Sequence, residues 1–214
     1  MKLGIILGST RVKSNTAGVV AHVVTLLSSH PDFDTLELEI INLATSSGHP
    51  LPLLIEDTLP QAHSPSSLPS VYSDPLIRSW SSTVLSWDGV LIISPQYNWG
   101  VPAPLKNALD HLFHEWVAKP VGLITLGGRG GTKVEASLRS ILGGGLDMRV
   151  AEKGVQVAMP REWIAGSEVL KGGEETLQRY DEAILECVRE IVNLVKCKDE
   201  ASPRTSPECM PLQE

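Results

Sequence analysis

Short, almost wholly apolar runs alternate along this chain with longer stretches whose apolar positions recur every three or four residues. The runs fall at Lys2–Gly8, Leu36–Leu43, Gly89–Ser94, Val121–Leu126 and roughly Val150–Ala158. The periodic stretches lie at 16–28, 75–87, 104–116, 132–142 and Glu174–Lys196. The third is the clearest. Its Leu105, Leu109, Leu112, Phe113 and Trp116 stand at i, i+4, i+7, i+8 and i+11, one face of a helix. Lys106, Asn107, Asp110, His111 and His114 then make the solvent face, and Pro104 sits in a first turn that needs no donor from it.

Strand and helix alternating in this way predict a parallel sheet with helices on both faces. Right-handed crossovers leave few topologies for it. Leu36, Leu38 and Ile40 alternate with polar neighbours, as at a sheet edge, whereas GVLIIS and VGLITL are solidly apolar, as central strands are. The expected fold is α/β, a three-layer doubly wound domain with a five-stranded parallel sheet in the order 2-1-3-4-5.

Two stretches fall off the pattern. Ala44–Asp74 is rich in Ser, Pro and His and reads as a long excursion after the second strand. Lys198–Glu214 is polar, proline-bearing and unpatterned, so a disordered tail is expected behind a single domain at 1–197. A length of 214 residues with 42% hydrophobic and 20% charged residues suits one soluble domain. A net charge of −7 and a pI near 5.4 argue against nucleic acid or an anionic membrane as partner. No apolar stretch is long enough to span a bilayer, and the apolar part of MKLGIILGSTR is too short for a secretory signal. Cys187 and Cys197 lie ten residues apart on one helical pattern, about 15 Å along its axis, too far to bridge. With Cys209 they suggest a reducing compartment, the cytosol.

Ligands of such sheets bind outside the carboxyl ends of the strands, where the strand order reverses. The loops after strands one, three and four are therefore the informative ones. GSTRVKSNT, Gly8 to Thr16, offers Ser9, Thr10, Ser14, Asn15 and Thr16 as polar groups and Arg11 as a fixed cation, all at the positive end of the following helix. Ser14 or Asn15 would also serve as a plain helix cap with Arg11 in solvent. SPQYNWGVPAPLKNAL, Ser94 to Leu109, is stiffened by Pro95 and Pro102. Its Tyr97 and Trp99 can cover a ring, Gln96 and Asn98 can meet polar edges, and Gly100 allows close approach. Trp99 packed into a neighbouring subunit is the competing use. GGRGGT, Gly127 to Thr132, sets Gly127, Gly128, Gly130 and Gly131 around Arg129. It matches neither a Walker A loop nor G-x-G-x-x-G, and a flexible turn is its bland reading. Together the three loops suit a phosphorylated, flat, heteroaromatic ligand such as FMN.

GSTRVKSNT, SPQYNWGVPAPLKNALDHL and TLGGRGG together resemble the NADPH-dependent FMN reductase family of flavodoxin-like proteins, in particular its small quinone reductases. The resemblance runs from Met1 to about Lys196. It implies that Ser9, Arg11 and Ser14 hold the FMN phosphate, with Asn15 and Thr16 where the family pattern ends in Asn. It implies that Pro95, Gln96, Tyr97 and Asn98, followed by Trp99 and Gly100, lie along the ring, with Gly127, Gly128 and Gly130 nearby. Some relatives carry His in place of Arg129. Implied too are NADPH or NADH as electron donor, and a quinone, azo compound or free flavin as acceptor. No side chain is required as acid or base. A homodimer or homotetramer is implied, and the three aromatics Trp99, Phe113 and Trp116 exceed what one helix face needs, which points the same way. The rival is a flavodoxin-like electron carrier or flavin-dependent regulatory protein. A metal site at His111, His114 and Glu115 is set aside, because an exposed helix face accounts for them.

Overall fold

The computed structural model describes residues 1–45, 49–53, 56–165 and 169–197. The expected tail at 198–214 lies outside them. Six parallel strands, β1 (Lys2–Leu7), β2 (Glu37–Asn42), β3 (Gly89–Pro95), β4 (Pro120–Gly127), β5 (Arg149–Val150) and β6 (Val155–Ala158), form one sheet. Its order is β2-β1-β3-β4-β5, with β6 also pairing with β4. The helices are α1 (Asn15–Ser29), α2 (Pro75–Leu85), α3 (Ala103–Asp110), α4 (Thr132–Arg139), α5 (Arg161–Ala165), α6 (Glu175–Gln178) and α7 (Asp181–Lys196).

Successive residues of a strand point to opposite faces, and the core divides accordingly. Leu3, Ile5, Leu91, Ile93 and Ile124 cluster with Val19, Val23 and Leu27 of α1 and Ile184, Val188 and Ile191 of α7. Their neighbours Ile6, Val90, Ile92 and Leu123 cluster with Trp80 of α2, Leu105 and Leu109 of α3, and Val134 and Leu138 of α4. The sheet is therefore doubly wound, as the alternating pattern predicts.

Three boundaries differ from expectation. The run at 150–158 is two strands, because the backbone between them is drawn out of the ladder. Glu190 accepts the amides of Glu152 and Lys153 at 2.6 and 3.2 Å, and Arg139 donates to the carbonyls of Ala151 and Glu152 at 2.9 Å each. The helix expected over 104–116 ends at Asp110. A continuing helix would pair the Phe113 amide with the Leu109 carbonyl. Instead Phe113 donates to Glu115 at 3.3 Å, and the Leu109 carbonyl accepts from the Trp116 indole at 3.1 Å. Glu115 also accepts from Tyr72 and Ser81, so its buried carboxylate is satisfied by three donors. The last periodic stretch is broken between α6 and α7.

The described parts of the 44–74 excursion dock on α2 and α3. Asn107 and His111 donate to the Pro52 carbonyl at 2.9 and 2.7 Å, and His114 donates to that of Gln61 at 3.1 Å. His111 is thus buried under the excursion instead of lying in solvent. Among the described residues no group of three or more His, Cys, Asp or Glu could hold a metal, and no helix is long and apolar enough to cross a membrane.

Candidate functional site

The first, third and fourth strands end at one rim, and their loops bind one another. Ser9, buried after β1, hydrogen-bonds Tyr97 hydroxyl to hydroxyl at 2.7 Å. The Arg11 guanidinium lies 4.6 Å from the centre of the Tyr97 ring, a cation–π contact between the first and second loops. Ser14 is the cap of α1 and accepts from the Thr16 amide at 3.2 Å. No acidic residue occupies the first turn of α1, so nothing there neutralises the positive helix end.

The second loop turns sharply. Tyr97 and Gly100 exchange two backbone hydrogen bonds, of 3.1 and 2.8 Å, around Asn98 and Trp99, whose φ angles are 48° and 66°. Positive φ at a tryptophan is uncommon and marks a site of stored strain. Trp99 is 73% exposed, with the Lys133 ammonium 5.6 Å from its ring centre. Gln96 holds the second loop to the third. Its carbonyl oxygen accepts from the Lys133 and Val134 amides at 3.0 and 3.3 Å, capping α4, whose own cap residue is a glycine. In the third loop Gly130 and Gly131 take φ of 74° and 77°, and a Cβ at Gly130 would stand 2.7 Å from Gln156. Glycine is required there by backbone and by space alike.

These loops enclose a cleft of about 350 Å³. Of the residues the sequence singles out, Arg11, Ser14, Asn15, Thr16, Pro95, Gln96, Tyr97, Gly127 and Gly128 line it. Ser9, Thr10, Asn98, Trp99, Gly100, Arg129 and Gly130 stand outside the lining: Ser9 beneath Tyr97, Thr10 in the wall of a second cavity, Trp99 and Arg129 in solvent at the rim. Lys13, Leu126, Met159, Trp163, Ile164 and Val169 complete it and were not foreseen. Among the described residues the lining carries two cations, Arg11 and Lys13, and no carboxylate, in a chain of net charge −7. The apolar pair Trp163–Ile164, isolated in a polar stretch behind Pro160, was the available sign of the fourth wall.

A second cavity, of about 370 Å³, lies under the excursion and is lined mainly by apolar groups, Leu43, Leu51, Leu53 and Pro104 among them. His49 lines it too, edge-on to Trp80 with ring centres 5.0 Å apart and with both ring nitrogens buried and unpartnered. Burial pushes its pKa down to about 4, so the ring is neutral at ordinary pH.

A doubly wound parallel sheet with a cationic, hydroxyl-rich cleft at its topological switch point defines a nucleotide-binding protein of flavodoxin-like architecture. The model of the NADPH-dependent FMN reductase family matches residues 1–163, and the chain belongs to that family. Over 164 residues it is 38% identical to an NAD(P)H-dependent FMN reductase of Saccharomyces cerevisiae, covering 75% of this chain and 82% of the relative. An NADPH:quinone oxidoreductase of Arabidopsis thaliana is 31% identical over 138 residues, 63% of this chain and 62% of its own length. Among solved structures, the fold is similar to that of FerB, a flavoenzyme NAD(P)H:(acceptor) oxidoreductase from Paracoccus denitrificans. The TM-score is 0.63 over 90% of this chain and 97% of that one, at 18% identity.

Proposed function

We propose that this protein is an FMN-dependent NAD(P)H oxidoreductase that reduces quinones or similar small acceptors at the rim of the cleft. Family membership supplies the cofactor and the electron donor. The observation that carries the placement is the carboxylate-free lining with Arg11 and Lys13 at the N-terminal end of α1. A phosphate dianion bound there would be stabilised by two cations, by the hydroxyls of Ser14 and Thr16, and by the helix dipole. The donor set fits FMN.

Bound FMN supplies the hydride chemistry between donor and acceptor. The chain's part is to hold, orient and polarise. Tyr97, fixed by Ser9 and Arg11, and the backbone at Gly127 and Gly128 are the walls we assign to a flat ring. Amides near Asn98 and in the third loop are the donors we assign to a ring that gains negative charge. No side chain of the cleft lining is assigned as acid or base. The described cysteines, Cys187 and Cys197, are free thiols, which supports a cytosolic, reducing setting.

Rapid mixing of FMN-loaded protein with NADPH under anaerobic conditions tests this reading. Fast bleaching of the flavin absorbance, reversed by an added quinone, is expected. Flavin that binds but bleaches slowly would make the protein an electron carrier instead.

A further inference from the structure

Asn15 opens α1, yet both ends of its side-chain amide are taken by a distant part of the chain. Nδ2 donates to the Trp163 carbonyl at 2.6 Å, and Oδ1 accepts from the Leu170 amide at 2.9 Å. Leu170 is buried, and its backbone lies so close to α1 that a Cβ on Gly18 would stand 2.2 Å from the Leu170 carbonyl oxygen. One turn further along α1, His22 accepts from the Gly173 amide at 3.3 Å through Nδ1 and pairs with Asp181 at 2.7 Å through Nε2. The residues at 159–165 and 169–173 are thus strapped along α1, and Asn15 is the fastening nearest the cleft. From this strap Met159, Trp163, Ile164 and Val169 enter the same lining as Arg11, Lys13 and Ser14.

The position of the strap has a chemical consequence. A flavin ending in a phosphate monoester needs room for one dianion at the start of α1. A flavin dinucleotide continues through a second phosphate to an adenosine and needs an exit past that point. The Trp163 backbone, bonded to the first residue of α1, borders the cleft beside Arg11, Lys13 and Ser14, the end where such an exit would have to open. We propose that Asn15 is a latch holding the strap across the phosphate end of the cleft, and that the latched strap makes the cleft select FMN over FAD. The proposal rests on reading the cleft as the flavin site. Asn15 acts here as a positioning residue, and the phosphate contacts stay with Arg11, Ser14 and Thr16.

The test compares dissociation constants for FMN, FAD and riboflavin, read by fluorescence, in the wild type, Asn15→Ala and Gly18→Ala. Asn15→Ala removes both latch bonds, whereas Gly18→Ala replaces no residue of the cleft lining and displaces Leu170 from behind. The wild type should prefer FMN to FAD, and both variants should narrow that preference by about tenfold, the scale of one or two lost hydrogen bonds. The FMN-to-riboflavin ratio should barely move. Trypsin should cut after Arg161 and Lys171 faster in both variants, a readout that needs no flavin. Should Gly18→Ala fail to fold, Asn15→Ala decides alone. Wild-type protein that binds FMN and FAD equally would overturn the latch while leaving the cleft as flavin site. So would an Asn15→Ala protein that loses FMN relative to riboflavin with unchanged trypsin sensitivity, since Asn15 would then be a phosphate contact. Binding of no flavin at all would overturn the cleft assignment and the latch together.

Discussion

Arg11 illustrates how one side chain serves two surfaces. Its guanidinium packs on Tyr97 while it lines the cleft beside Lys13, Ser14 and Thr16. A planar fork held over an aromatic ring loses little further freedom when it meets a phosphate, which is where arginine differs from lysine. Arg11→Ala should therefore weaken FMN by roughly ten- to a hundredfold, the range for hydrogen bonds to a charged group. Riboflavin, which lacks the phosphate, should lose far less, and equal losses for the two ligands would refute the phosphate assignment. Gln96 teaches the complementary lesson. The sequence suggests an amide for polar ring edges, but its oxygen caps α4 across the rim. Local sequence shows which groups are available, not which distant donors reach them first.

At the scale of elements, what was legible is what is periodic. β1, β3, β4, α1 and the three rim loops could be read because their apolar spacing and turn residues act locally. Two of the boundaries have a long-range cause: Glu190 and Arg139 at the split fifth strand, and Glu115, held by Tyr72 and Ser81, at the end of α3. The strap was missed for the same reason, since Asn15 reaches residues 148 and 155 positions away. The excursion at 44–74 carries no periodic pattern because its described parts are anchored by Asn107, His111 and His114 from outside it, and a histidine of its own makes its docking depend on pH. Burial lowers the His49 pKa from 6.5 to about 4. Between those values the unfolded chain binds a proton that the folded chain refuses, so stability falls as pH drops through that window. Urea unfolding at pH 7 and at pH 5 should show a fall in midpoint for the wild type and a smaller fall for His49→Phe. An equal fall in both proteins would assign the acid sensitivity to other groups.

The whole molecule leaves apolar side chains exposed around the mouth of its cleft: Val12, Trp99 at 73% and Ile164 at 55%. Of the three aromatics that suggested self-association, Trp116 is fully buried against Trp80 and lends that idea no support, whereas Trp99 still does. We propose a twofold dimer that covers this rim, since a self-complementary patch closes most simply on a second copy. Light scattering should give a dimer or tetramer at micromolar concentration, and a flavin-loaded monomer would end the idea. The same geometry sets the kinetics. We infer that NAD(P)H and the acceptor use the mouth of this cleft in turn, since the sequence carries no second nucleotide motif. Initial rates with both substrates varied should give parallel double-reciprocal lines, the ping-pong pattern. Trp99 borders that mouth without lining the cleft, held at a φ of 66° by the tight turn between Tyr97 and Gly100. Trp99→Ala should therefore raise the apparent KM for both NAD(P)H and quinone by several-fold, the scale of one lost aromatic contact. Its affinity for FMN should stay close to that of the wild type. Intersecting lines together with unchanged constants in Trp99→Ala would place the two substrates at separate sites, while the FMN assignment would stand on Arg11 alone.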